Sequence, residues 1–181
     1  KSTINEVLTK INPTLHILPS NIKLSAFSHI TGIKDYKKLF NVLNPIKSEY
    51  DFILIDCPPA LGPLQENSLV ACDKVLIPVQ CREYSLLGLD LLADSISAIK
   101  EDLYSRLDIL GAVISLYEKR EILTEKKDEI AEFFPLLNTH IYKRTSIPQN
   151  QVTKSDYFTE NPRDSKMFLD LADEILEILS R

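Results

Sequence analysis

The residue type and spacing that point most directly to chemistry in this chain are those around Asp56. It closes the run Phe52-Ile53-Leu54-Ile55, four apolar residues without polar alternation, the pattern of a strand buried on both faces of a parallel sheet. In open α/β sheets ligands bind beyond the carboxyl ends of the strands, so a carboxylate there can face a hydrated metal ion and a phosphate. Many α/β proteins also place an Asp at that point only to cap the strand, and the run alone does not separate the two readings. Cys57-Pro58-Pro59 follows. Two prolines remove two successive backbone donors, so the chain leaves the sheet there and becomes a loop that could sense a phosphate.

Other reactive residue types argue for less. His16, His29 and His140 are widely separated and show no metal-ligand spacing, which points to structural histidines. Cys57, Cys72 and Cys81 have no C-x-x-C spacing and each lies beside an apolar run, the setting of buried free thiols. Lys119, Arg120, Lys126, Lys127, Lys143, Arg144 and Lys154 are cations scattered over the C-terminal half. Acidic residues, among them Glu118, Glu121 and Asp128, interleave with the first four, which fits a solvated charged surface.

Short apolar runs alternate with longer helical patterns, the mark of βα units around a mainly parallel sheet. Strands are expected over residues 15–18, 52–55, 74–77, 109–116 and 138–142, and helices over 35–47, 85–103, 121–134 and 165–179. Residues 143–164 show little periodicity and read as a long surface loop, a class often functional. The expected fold is α/β, a three-layer, twisted, mainly parallel sheet with helices on both faces, in one domain over residues 1–181. With 44% apolar and 26% charged residues the composition is that of an ordinary globular chain. No uninterrupted apolar stretch is long enough to span a bilayer and the start has no signal-peptide pattern, so a cytoplasmic location is expected. The net charge of −5 argues against a constitutively basic surface. Residues 1–50 carry seven Lys against three acids, however, so any basic face is local.

The block Tyr50-Asp51-Phe52-Ile53-Leu54-Ile55-Asp56-Cys57-Pro58-Pro59, followed by Gly62, Asn67-Ser68-Leu69, Lys74-Val75-Leu76-Ile77-Pro78-Val79-Gln80 and Tyr84-Ser85-Leu86-Leu87-Gly88-Leu89, resembles the switch region of the ParA family of partition ATPases. Leu15-His16-Ile17-Leu18-Pro19-Ser20, Ile109-Leu110-Gly111-Ala112-Val113-Ile114 and Ser146-Ile147-Pro148-Gln149-Asn150 resemble flanking segments of that family. The likeness runs over most of the chain and is strongest from Tyr50 to Leu92.

The resemblance implies a P-loop-type ATPase fold, ATP and Mg²⁺ as cofactors, and Asp56 as the Walker B acid holding a water of the Mg²⁺ shell. It implies Pro58, Pro59 and Gly62 in the second switch loop, and Pro148 and Gln149 near the adenine. It further implies an ATP-dependent homodimer, nonspecific DNA through Lys119, Arg120, Lys143, Arg144 and Lys154, a ParB-like centromere-binding partner and association with the nucleoid. Gln149 stands where the family often has Arg, which removes one expected DNA contact. The C-terminal helix has an acidic polar face that anionic lipid would repel, so no membrane partner is expected. The run G-x-x-x-x-G-K-[ST], whose backbone amides cradle phosphates, does not occur, and Gly32, Gly62, Gly88 and Gly111 lie far apart. The family carries that loop in an N-terminal segment. The expectation is a truncated chain, inactive by itself, with an exposed edge beside the Asp56 strand. A nucleotide-free interaction module is the alternative.

Overall fold

A computed structural model describes residues 4–21, 24, 36–57, 62–80, 85–103, 106–117, 123–148 and 156–181. The chain forms two compact units, one of residues 1–72 with 102–105, the other of residues 73–101 with 106–181.

In the first unit, α1 (Ile4–Val7) leads into β1 (Thr9–Lys10), which pairs antiparallel with β2 (His16–Ile17). The expected strand at 15–18 is therefore a two-residue arm of a hairpin. The Asn12 side chain builds its turn, accepting from the Thr14 and Leu15 amides at 2.9 and 2.7 Å, an Asx turn that a period-two reading does not register. Then come α2 (Lys38–Leu43), a 3-10 turn at Lys47–Glu49 and α3 (Pro63–Ala71). Leu43, Ile46 and Leu69 are buried. Asn67 is buried as well and ties α2 to α3, donating to the Pro63 carbonyl at 2.9 Å and accepting from the Leu39 amide at 3.3 Å.

Residues 52–55 form no strand, against the expectation of burial on both faces. Phe52 is 57% exposed and Leu54 93% exposed. A strand exists only as one side of a ladder. Among the described residues no segment pairs with this run, so its apolar side chains have no sheet to pack in.

The second unit holds the parallel sheet, in the order β3 (Lys74–Gln80), β4 (Asp108–Tyr117), β5 (Leu136–Tyr142). The crossovers pass through α4 (Ser85–Leu103) and α5 (Leu123–Phe133), as two βαβ units require. The fold class is thus α/β, as expected. Ile77, Val79, Ala112, Val113, Ile114, Leu137 and Ile141 form the buried strand layer, with Ile130 and Phe134 also buried. After α6 (Tyr157–Glu160), α7 (Pro162–Leu179) packs on β5. Met167 joins Val113 and Ile141 in a cluster that Leu76, Ile147, Phe168 and Leu171 complete. Part of the expected 143–164 loop is therefore structured: Ile147 is anchored in the core, and Asp156 caps α6 by accepting from the Phe158 amide at 3.1 Å.

Candidate functional site

Asp56 belongs to the first unit and lies at the end of the extended run, exposed. Among the described residues no hydrogen bond or ion pair engages its carboxylate. Two readings of Asp56 make different demands. A strand cap spends its oxygens on backbone amides, whereas a metal-facing carboxylate keeps them outward. Among the described residues the Asp56 oxygens are not spent on backbone amides. No group of three His, Cys, Asp or Glu among the described residues has metal-holding geometry. One carboxylate nevertheless fits Mg²⁺, which keeps several waters and commonly takes one or two carboxylates plus phosphate oxygens.

Pro58 and Pro59 lie outside the described residues. Gly62 is described, with φ 150° and ψ −172° at the N-cap of α3, and Pro63 occupies the first helical position. A β-carbon at Gly62 would meet nothing within 4 Å, so the backbone angle and not space demands glycine. The chain thus enters α3 from a conformation that other residues rarely adopt. This places a hinge-capable residue six positions after Asp56.

Pro148, Lys143 and Arg144 belong to the second unit; Gln149, Lys119, Arg120 and Lys154 lie outside the described residues. Arg144 Nε donates to Asp164 Oδ1 at 2.9 Å, and its guanidinium lies over the Tyr142 ring at 5.5 Å. Ser146 Oγ donates to the other oxygen of Asp164 at 2.7 Å. Asp164 therefore ties the segment before Pro148 to the first turn of α7, where a carboxylate is also favoured by the helix dipole. Arg144 carries a cation already paired, which reduces what it offers a phosphate. Lys127 lies over the Tyr117 ring at 4.9 Å, and Tyr117 makes edge contacts with His140 and Tyr142 at 5.0 and 5.3 Å. These aromatic residues and Asp164 carry no spacing signal in the sequence, because β4, β5 and α7 bring them together only in three dimensions.

Both described histidines in predicted strands have structural partners. His140 packs on Tyr117, and His16 Nδ1 lies 2.7 Å from the Tyr50 hydroxyl. His29 and Cys81 lie outside the described residues. Cys72 is half-buried, but Cys57 is exposed, contrary to the expectation of buried thiols, since the unpaired run before it gives it no core to enter. Iodoacetamide under native conditions is expected to modify Cys57 faster than Cys72, read by peptide mass spectrometry; equal rates would mean that Cys57 is covered in solution.

Asp108 and Glu174, in the second unit, are held below their ordinary range. At Asp108 the causes are the hydrogen bond from Lys74, 2.6 Å away, then the Ile109 amide. At Glu174 burial pushes the carboxyl up, but hydrogen bonds from Asn138 and Thr139 outweigh it. Both contribute stability that is present above their unfolded values and lost as pH falls through the lowered folded ones. The Asp108 share is small, because that ion pair is exposed.

Residues 1–109 match the family described as AAA domain. The sporulation initiation inhibitor protein Soj of Bacillus subtilis is 32% identical over 185 residues, covering 97% of this chain and 69% of Soj. Among solved structures, apo McdA of Cyanothece superposes with a TM-score of 0.83 at 16% identity, covering 98% of this chain and 73% of McdA. A plasmid partition protein of Borrelia burgdorferi bound to AMPPNP gives 0.77 at 22% identity, covering 98% and 69%. The chain spans about half the length of several curated relatives that it matches.

Proposed function

Since the chain belongs to the ParA-like family of partition ATPases, we propose that it is the switch-bearing part of an ATP-driven DNA-segregation protein in which Asp56 serves the bound nucleotide. The observation that carries this reading is the Asp56 carboxylate, outward and unengaged at the end of the extended run. Mg²⁺, when bound with ATP, would neutralise the charge that develops on the phosphates. Asp56 would hold one water of its shell. Gly62, six residues on, gives the loop between them the backbone freedom to respond to a phosphate and to transmit that response into α3. Pro58 and Pro59 would stiffen that loop. Pro148, with Gln149, would lie near the adenine; Ile147 in the core and Ser146 on Asp164 fix the segment that carries Pro148.

In this reading ATP favours a homodimer, the dimer holds DNA without sequence preference, and a centromere-binding protein of the ParB kind triggers hydrolysis. Lys143, Arg144, Lys119, Arg120 and Lys154 are the candidate DNA contacts. A Lys143→Ala variant is expected to weaken binding to any duplex alike and to lower the slope of log affinity against log salt by about one. Arg144→Ala is expected to lower that slope by less than one full contact would, because Asp164 already takes its charge. Fluorescence anisotropy over a salt series reads both, and unchanged slopes would remove Lys143 from the interface.

The reading as a whole is tested by isothermal titration of ATP with Mg²⁺ into this chain and into a version extended to the length of its relatives. Binding by the longer version alone is expected. Binding by neither would sink the ATPase reading and leave a nucleotide-free interaction module; tight binding by the short chain would put the phosphate site on residues not named here.

A further inference from the structure

The ladder between β4 and β5 is irregular in a way that a simple parallel pair does not need. Between the pairs Ala112↔Leu136 and Ile114↔His140, β5 carries two more residues than β4; before Tyr117↔Tyr142, β4 regains one. Bulges are uncommon in parallel pairs and leave backbone groups without ladder partners. In the β4 stretch that regains a residue, Leu116 has φ 51°, a left-handed conformation that costs a leucine about 1 kcal/mol or more. Something must hold this arrangement.

Two amides of the β5 bulge converge on one side chain of α7. Glu174 Oε1 accepts from the Asn138 amide at 2.7 Å and from Asn138 Nδ2 at 3.0 Å, and Oε2 accepts from the Thr139 amide at 2.8 Å. Successive amides aimed at one point form an anion nest, and hydrogen bonds to an ionised acceptor are roughly twice as strong as neutral ones. The nest borders a cleft of about 210 Å³ whose walls include Leu110, Leu136, Leu137 and Ile178 and the ion pair of Glu177 with Arg181. That is room for an ion of a few heavy atoms, since one water takes about 30 Å³ of liquid.

We infer that Glu174 is a register pin: the β5 bulge is an anion site that Glu174 fills in cis, and its occupancy decides which β5 side chains face the core at the carboxyl end of the sheet. A slip of one residue inverts every side chain of a strand. Without the pin, Ile141 would leave its contacts with Val113 and Met167, and Tyr142 would leave Tyr117. Glu174 is thus a positioning residue for Tyr142, Lys143 and Arg144; that they meet DNA rests on the reading above, whereas the pin does not.

The test compares Glu174→Ala, Glu174→Gln and the unchanged 181-residue chain by amide NMR and hydrogen exchange, in sodium acetate and in sodium chloride of equal ionic strength. In Glu174→Ala the Asn138 and Thr139 amides are expected to exchange about tenfold faster or more. Resonances of residues 140–144 are expected to move, and acetate, but not chloride, to move them back. If residues 140–144 keep their resonances and only the two amides and the melting temperature change, Glu174 is an ordinary contact and the pin is wrong. Failure of acetate to act in a folded Glu174→Ala overturns the anion site. Should Glu174→Ala not fold, Glu174→Gln carries the resonance and exchange test: it keeps the size but offers one acceptor where two are needed, so unmoved resonances there also overturn the pin. DNA binding by the same variants, made in a version extended to the length of the relatives, separates the two readings, because moved resonances with unchanged affinity keep the pin and remove Lys143 and Arg144 from the DNA face.

Discussion

Asp56→Asn, in a version of the protein extended to the length of its relatives, is expected to lower Mg²⁺-dependent ATP hydrolysis by about a hundredfold or more. That is the scale on which one preorganised electrostatic group counts in a transition state. The substitution keeps shape and removes charge, so the metal shell loses an anionic acceptor where charge on the phosphates must be balanced. Stability is expected to change by no more than about 0.5 kcal/mol, because the carboxylate is exposed and engages nothing among the described residues. Phosphate release and thermal denaturation, measured on the same samples, separate the two effects. A variant that hydrolyses ATP at the parental rate would remove Asp56 from the metal's shell.

Gly111→Ala is expected to be the most damaging single methyl group in the second unit. Gly111 has φ 148°, and a β-carbon there would lie 2.8 Å from the Pro135 carbonyl oxygen and 2.3 Å from Leu137 Cδ1. The leucine tip can rotate away. The carbonyl cannot, because it accepts from the Ala112 amide at 2.7 Å and so belongs to the β4–β5 junction. Backbone strain of about 1–3 kcal/mol adds to overpacking of about 1–3 kcal/mol, so a loss of about 3 kcal/mol or more is expected in urea denaturation. Gly62→Ala is the control. It has the same unfavourable φ but open space, and is expected to lose only the strain. Equal losses at the two positions would mean that β4 and β5 separate easily at Pro135.

Several elements were legible because their signal is local. The apolar spacing over 85–103 matches α4 at both ends, and the β-branched run 109–116 is β4 within a residue at either end. In each case burial of one continuous face or layer dictates the residue types. α3 was not foreseen. Its apolar residues Leu64, Leu69, Val70 and Ala71 keep no helical stripe, and what starts the helix is Gly62 at the N-cap and Pro63 after it. The run 52–55 errs in the other direction. Its composition is that of a buried strand, but strandedness belongs to a pair of segments, and Leu54 at 93% exposure shows what the composition is without the second. At the candidate site, Asp56 and Gly62 could be named from the chain because a motif of neighbours carries them. Asp164, Tyr117 and Tyr142 could not.

Taken alone, the order of residues determined the βα alternation, the family and the position of the acid after the apolar run, since all of these are written in near neighbours. Only the tertiary structure decided that Asp164 takes the charge of Arg144 and that Glu174 reaches back 36 residues to Asn138. The reason is physical: a hydrogen bond needs its partners within about 3 Å, and where two distant segments come that close is set by the packing of α7 on β5, which no local pattern in either segment contains.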